Sequence, residues 1–128
     1  MSNDRYERGM TVRKAVLGAE HVTRAEANKT GFDRDFQEFV TESVWGDVWA
    51  RPGLEIKTRQ MITMAILAAL GRQEELGAHI RATRHTGVTR DEVKELFLQV
   101  AVYAGAPAAN SAFALAKRVY QEMDNQSK

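Results

Sequence analysis

Helical spacing of apolar residues, repeated between glycines, is the feature that most constrains the fold of this chain. Residues 55–70, 72–86 and 89–104 carry apolar side chains three and four positions apart, separated by Gly71, Gly87 and the GAP segment at 105–107. This is the period of a helix, and a glycine just past the last periodic residue is typical of a helix end. Sustained period-two alternation and Asn-Gly or Asp-Gly hairpin signals do not occur. The sequence therefore predicts an all-α fold of about six helices with short connections.

Several residues predict where individual helices end or begin. Gly18 predicts the end of a first helix, and Thr89 with Glu92 forms a capping-box pattern at the start of another. Pro107 suits the first turn of the last helix. A helix that begins near Thr30 or Asp33 would carry one broad apolar stripe. The stripe consists of Phe32, Phe36, Phe39, Val40, Ser43 and Val44.

The segment WGDVWARPG, residues 45–53, is predicted to interrupt that helix. Gly46, Pro52 and Gly53 are residues that favour loops, so Trp45, Trp49 and Arg51 are expected on an irregular segment. For the two tryptophans we expect a place in the core rather than a stacking platform for a ligand.

Length and composition limit the class of protein. At 128 residues we expect one domain over 1–128, with 1–9 and 124–128 flexible. Lys and Arg total 18 against 17 Asp and Glu, a net charge of +1, which argues against a nucleic-acid binder. The sequence has no cysteine, which excludes disulfides and thiol chemistry and fits the cytoplasm. The N-terminus lacks a secretory signal pattern, and the apolar run 61–70 is too short to span a membrane. The helix predicted over residues 55–70 is apolar on nearly all sides from residue 60 onward, so part of it is expected to face another subunit.

Glu75 and His79 are four positions apart in EELGAHIRATRHTG, residues 74–87. The predicted buried line of this helix is formed by Leu76, Ile80 and Thr83. His79 lies beside that line, and Glu75 is one turn earlier, within hydrogen-bond reach. The spacing fits a structural pair, an acid–base couple in which the carboxylate fixes the imidazole tautomer, or part of a metal site. Metal ligation is the weakest alternative because a catalytic site needs three protein ligands and the other imidazoles are His21 and His85. We predict no metal.

Several arginines surround the same part of the sequence: Arg51, Arg59, Arg72, Arg81 and Arg84. Most are expected on solvated helix faces. Arg51 differs because it lies in a Trp/Pro/Gly loop, a common position for binding residues, and Arg59 opens the apolar helix. Two such guanidinium groups suit a dianionic small molecule.

Long segments of the chain resemble the 4-carboxymuconolactone decarboxylases of the alkylhydroperoxidase-D-like superfamily. The matching segments are RKAVLGAEHV (13–22), FQEFVTESVWGDVWARPGL (36–54), KTRQMITMAILAAL (57–70) and EELGAHIRATRHTGVTRDEVKELFLQVAVYAGAPAANSAFALA (74–116). The redox members of the superfamily carry a Cys-x-x-Cys pair, which falls here on Arg72 and Glu75, and an upstream relay glutamate, which falls on Gln60. His79 matches their relay histidine. Since no thiolate can form, the resemblance implies acid–base rather than redox chemistry.

The resemblance implies a cytoplasmic catabolic enzyme that assembles into trimers or hexamers. It implies conversion of γ-carboxymuconolactone, a lactone dicarboxylate, to β-ketoadipate enol-lactone and CO2 in protocatechuate degradation, with no cofactor. In this reaction the predicted proton donor is His79, which Glu75 orients. The predicted substrate-binding residues are Arg51, Arg59, Gln60 and His21. Two alternatives remain: an enzyme acting on a related lactone, and a non-catalytic helical oligomer that binds a small anionic ligand.

Overall fold

The computed structural model describes residues 3–127, which form seven α-helices and one π-helical segment, with no strand among them. In chain order these are α1 (Asp4–Leu17), α2 (Ala19–Asn28), α3 (Arg34–Phe39), the π-helical segment (Val40–Trp49), α4 (Ile56–Leu70), α5 (Gln73–Thr86), α6 (Arg90–Ala104) and α7 (Ala106–Gln126). The all-α prediction is confirmed. The helix not predicted is α2, because residues 19–30 are polar and alanine-rich and carry too weak an apolar pattern.

The predicted helix ends agree with the backbone geometry. Gly18 ends α1 with φ of 94°, and Gly87 ends α5 in the left-handed conformation with φ of 84°. The capping box at the start of α6 is complete, with Thr89 and Glu92 bonded in both directions. The first helix begins at Asp4, inside the segment expected to be flexible, and the Asn3 side chain caps it by accepting from the Tyr6 amide.

The described residues pack into two compact units that divide between Ile56 and Lys57. In the first unit, α1 packs on the π-helical segment, and the core contains Val16, Trp45 and Trp49. The two indole rings stack with centroids 4.7 Å apart. The expectation that both tryptophans belong to the core is therefore confirmed.

The prediction that the helix is interrupted at residue 45 is wrong, because helical structure continues through Gly46 to Trp49. A Cβ at Gly46 would lie 2.4 Å from the carbonyl oxygen of Arg5, and one at Gly9 would lie 1.9 Å from a main-chain oxygen of the π-helical segment. The two glycines thus allow two helical backbones to touch, which is a second reason for glycine besides loop formation. The chain leaves helical structure after Trp49, and Arg51 lies in the irregular part as predicted.

The predicted apolar stripe of α3 does not form a core face. Phe32, Phe36 and Phe39 are 99%, 61% and 58% exposed, whereas Val40 packs against the tryptophan cluster. The spacing identified a common face but could not indicate whether protein covers it.

The second unit is built on α4 to α7, with Met64, Leu76, Ile80 and Phe97 fully buried at its centre. Its helix α4 is apolar on several sides, as predicted, but the structure buries only one face. Exposed apolar side chains remain on α4 and α6: Ile62, Ile66, Leu70, Leu98, Val102 and Tyr103. None of the helices within residues 3–127 is long and apolar enough to cross a membrane.

Candidate active site

The buried line of α5 determines where His79 lies. Leu76 and Ile80 are fully buried and Thr83 is nearly so, as the spacing predicted. His79 lies beside this line and is half-buried, and its Nδ1 atom has no access to solvent. An imidazole held in this way is suited to proton transfer if a substrate reaches its other nitrogen.

Gln60 is a fully buried residue of α4 that binds the main chain at His79. Its Nε2 donates to the His79 carbonyl oxygen at 3.2 Å. Its Oε1 accepts a hydrogen bond from the Thr86 hydroxyl at the end of α5. The carboxamide therefore ties α4 to both the middle and the end of α5. One amide hydrogen is used in this way, which leaves the second for any contact with a substrate.

Glu75 lies one turn before His79, in the first turn of α5, and its side chain is exposed to solvent. A solvated carboxylate acts on a nearby imidazole through a high dielectric, which weakens the interaction. Its role in orienting His79 stays a prediction.

The arginines of the second unit differ in exposure. Arg72, Arg81 and Arg84 are exposed, as expected for a solvated helix face, and Arg81 pairs with Glu122 at 3.3 Å. Arg59 is half-buried in α4 and its Nε atom is shielded from solvent. Arg59 precedes Gln60 in α4, but consecutive helix residues point in different directions, so the sequence position alone does not bring the guanidinium group to the amide.

The first unit contains the other two predicted site residues. His21 is half-buried on α2, and Arg51 is exposed just after the π-helical segment. A cavity of about 510 Å³ is lined by Arg51 together with Arg8, Asp47 and Pro52. The Arg8 Nε donates to the carbonyl oxygen of Gly46 at 3.1 Å, which holds its guanidinium group at the cavity.

The carboxylate of Asp47 does not neutralise both Arg8 and Arg51 at this cavity. Arg5 binds its two carboxylate oxygens at 3.0 and 2.7 Å, and this hydrogen-bonded pairing lowers the pKa of Asp47 below its ordinary value. The carboxylate therefore stays ionised at neutral pH and is already engaged by Arg5. Arg8 lies farther away, at 3.9 Å. The cavity consequently keeps positive charge suited to an anion.

Within residues 3–127, no group of three or more His, Cys, Asp or Glu side chains has an arrangement that could hold a metal ion.

Comparison with known proteins identifies the family. The sequence model described as the carboxymuconolactone decarboxylase family matches residues 34–118. The chain belongs to this family. It is 48% identical over 119 residues to the 4-carboxymuconolactone decarboxylase of Acinetobacter baylyi, an alignment that covers 93% of this chain and 89% of that one. It is 40% identical to the nitrosuccinic acid decarboxylase of Metarhizium robertsii, over 92% of this chain and 82% of that one. The resemblance inferred from the sequence is confirmed.

The family match contains most of the predicted site. Both relatives are named decarboxylases, which agrees with the predicted carboxy-lyase activity. Residues 34–118 include Arg51, Arg59, Gln60, Glu75 and His79. His21 lies before the matched range. The roles of the individual residues stay predictions.

Two residues at the candidate site were not predicted from the sequence. Thr86 contacts the buried amide of Gln60 across 26 positions of sequence, and Arg8 shares a cavity with Arg51 across 43 positions. Both pairings depend on how helices pack, and neither residue belongs to a motif or an apolar period. No local signal marks either one.

Proposed function

We propose that this chain is a cofactor-independent decarboxylase that converts γ-carboxymuconolactone to the enol-lactone and CO2. The observation that carries the proposal is the 48% identity to a 4-carboxymuconolactone decarboxylase along 93% of the chain. The family match over residues 34–118 supports it independently.

The substrate can accept the electrons of the breaking bond itself. The departing carboxylate is attached to the ring carbon γ to the lactone carbonyl, across a C=C bond. When the C–C bond to CO2 breaks, its electron pair moves through that double bond to the carbonyl oxygen and gives a 2-oxyfuran anion. Protonation of the ring carbon α to the carbonyl then completes the reaction. The protein must stabilise the oxyanion and deliver one proton.

In this proposal His79 donates the proton to the ring, and Glu75 orients the imidazole. Arg51 and Arg59 bind the acetate arm or the developing oxyanion. A guanidinium group on the departing carboxylate would stabilise the ground state, because that charge is lost in the transition state. We therefore assign neither arginine to that carboxylate. Gln60 supports the His79 segment and has one amide hydrogen for the carbonyl. His21 is a second candidate acid.

A second candidate substrate is nitrosuccinic acid, because a relative named for its decarboxylation is 40% identical over 92% of the chain. Nitrosuccinic acid is also a diacid with a built-in electron acceptor, since its nitro group takes the electron pair as a nitronate. Both candidate substrates have a second carboxylate that an arginine could bind. In both, loss of CO2 leaves a stabilised carbanion that must be protonated on carbon.

The test of the proposal is a direct comparison of the two acids with purified protein and no additives. We expect CO2 release and loss of the ultraviolet absorbance of γ-carboxymuconolactone, with a higher kcat/KM than for nitrosuccinic acid. The same assay with EDTA addresses metal dependence. Ligand-induced stabilisation without CO2 from either acid would refute the proposal and favour the non-catalytic oligomer.

The residue assignment is tested with His79→Ala and a matched control, His85→Ala, an exposed histidine of the same helix. We expect His79→Ala to lower kcat by about 10²–10⁴-fold, the usual contribution of a general acid, while His85→Ala retains it. Glu75→Gln should lower kcat less, because the carboxylate is solvated. Near-normal turnover by folded His79→Ala would remove the imidazole from the mechanism.

We also propose that the chain forms a homo-oligomer, a trimer or hexamer, and acts in the cytoplasm. Supporting self-association, a groove of about 670 Å³ lies between α4 and α6 and is lined mainly by apolar residues such as Ile62, Ile66 and Tyr103. Large exposed apolar surfaces commonly mark protein interfaces. Light scattering on the purified protein tests the assembly, and cell fractionation tests the location.

A further inference from the structure

Thr86 lies in the last turn of α5, seven positions after His79. Seven positions are close to two helical turns, so the two residues share a face of α5. One buried side chain of α4 reaches both of them. Gln60 donates from Nε2 to the His79 carbonyl oxygen at 3.2 Å and accepts at Oε1 from the Thr86 hydroxyl. Thr86 and His79 are therefore connected through a single carboxamide group.

The two ends of the Gln60 carboxamide are not interchangeable in this position. The His79 carbonyl oxygen can only accept, so it requires the amide nitrogen and not the amide oxygen. The amide oxygen is thereby directed to Thr86, where it needs a donor. The Thr86 hydroxyl supplies that hydrogen, since the other acceptor near it, the Thr83 carbonyl oxygen, lies at a longer distance of 3.4 Å. The hydroxyl thus completes the amide in the one orientation that binds His79.

Loss of this hydroxyl would loosen α5 against α4 at His79. Gln60 is fully buried, so water cannot easily replace a missing donor at its Oε1. An amide that turns toward another donor gives up its bond to the His79 carbonyl oxygen, and one that stays leaves a buried oxygen unsatisfied. Proton transfer requires donor and acceptor within hydrogen-bond reach, and a misplacement of about 1 Å can lower a rate about 10²-fold.

We propose that Thr86 is a positioning residue for the decarboxylation. Its hydroxyl fixes the orientation of the Gln60 amide, and that amide holds the His79 main chain where the imidazole can deliver a proton. This inference rests on the proposed function and on His79 as its proton donor. Thr86 contacts no reacting atom in this scheme, so it affects the rate of the chemical step rather than substrate binding.

Steady-state kinetics with γ-carboxymuconolactone tests the proposal, at a temperature well below the unfolding midpoint of every variant. We expect Thr86→Val to lower kcat by about 10- to 10²-fold with little change in KM. Thr86→Ser keeps the hydroxyl and should retain most of the wild-type kcat. The matched control is Thr83→Val, the same substitution one turn earlier, because the Thr83 hydroxyl donates to the Ile80 carbonyl oxygen within α5 at 2.7 Å. The control should also retain kcat.

A double variant and the NMR signals of the imidazole separate positioning from a general loss of stability. Because Thr86 acts through Gln60, Thr86→Val should lower kcat no further in the Gln60→Leu background. The ring signals of His79 should shift in Thr86→Val and stay in place in Thr86→Ser. The ring signals of His85, an exposed residue of the same helix, should stay in place in both variants.

The proposal is overturned by a wild-type kcat in folded Thr86→Val, by an equal loss in Thr86→Ser or in Thr83→Val, or by additive losses with Gln60→Leu. It is also overturned if Thr86→Val leaves the His79 ring signals unmoved, whether or not the chain is a decarboxylase. Absence of CO2 release by the wild-type protein refutes the proposed function, and the NMR comparison then decides, without turnover, whether Thr86 positions the ring.

Discussion

Replacing Thr86 with valine tests the buried amide of Gln60 most directly. Valine keeps the shape of threonine but removes the hydroxyl that donates to the Gln60 Oε1. Because Gln60 is fully buried, its carbonyl group would lose this partner where water cannot easily replace it. Leaving a buried acceptor unsatisfied costs about 1–3 kcal/mol, so we expect Thr86→Val to lower the free energy of unfolding by about 2 kcal/mol.

Gln60→Leu should be tolerated better, because it removes the whole amide and leaves no unsatisfied group on that side chain. The His79 carbonyl oxygen lies within α5 and keeps its helical environment. In the double variant, Thr86→Val no longer strands an acceptor. The cost of Thr86→Val should therefore nearly vanish in the Gln60→Leu background, a coupling of about 1–2 kcal/mol.

Equilibrium urea unfolding of the four proteins at one protein concentration measures this cycle. With an m-value near 2 kcal/mol/M, a loss of about 2 kcal/mol lowers the midpoint by about 1 M. Thr58→Val, on an exposed position of α4, is the control and should change the midpoint little. Additive costs, with Thr86→Val equally harmful in both backgrounds, would refute the inference that the hydroxyl satisfies the buried amide.

Three further predictions concern packing, assembly and pH. Gly9→Ala should destabilise the chain by about 1–3 kcal/mol or more, because the new Cβ would meet a main-chain oxygen at 1.9 Å. The control is Gly31→Ala, whose Cβ would meet nothing within 4 Å. Thermal unfolding compares the stability of the two variants. Ile66→Glu should reduce the molar mass found by light scattering if the α4–α6 groove is the interface. Arg5 lowers the pKa of Asp47, so their pairing stabilises the fold fully above the ordinary carboxyl pKa of about 4, and this stabilisation is lost as the pH falls from there through the lowered pKa of the folded state. Asp47→Asn should therefore lower the urea midpoint at pH 7, and the difference from the wild type should shrink steadily as the pH falls below about 4. A difference that stays constant with pH would contradict this.

The second unit could be predicted from sequence because its local signals agree with each other. Glycines end the apolar periods of α4 and α5, and the Thr89–Glu92 capping box fixes the start of α6. The same periodicity predicted that His79 lies beside the buried line of α5. These features depend on residues within one or two helical turns, which a sequence displays directly.

The first unit shows the limit of such signals. Gly46 has two possible physical roles, a loop and a close helix crossing, and only the position of Arg5 beside it distinguishes them. Phe32 and Phe36 have the spacing of a core face, yet they are exposed. Spacing shows which side chains share a face, whereas what covers that face depends on packing between distant segments.

The geometry of Gln60 bears on which residue can stabilise the oxyanion in the proposed reaction. Its Oε1 accepts from Thr86 and one amide hydrogen is donated to the His79 carbonyl oxygen, so only the second amide hydrogen remains, and because Gln60 is fully buried a substrate meets it only after the side chains around it move. A preorganised donor gives more stabilisation than one that must first reorganise. A guanidinium group, rather than Gln60, is consequently the proposed donor to the oxyanion. Gln60 then contributes chiefly by holding the main chain at His79 where a proton can be delivered.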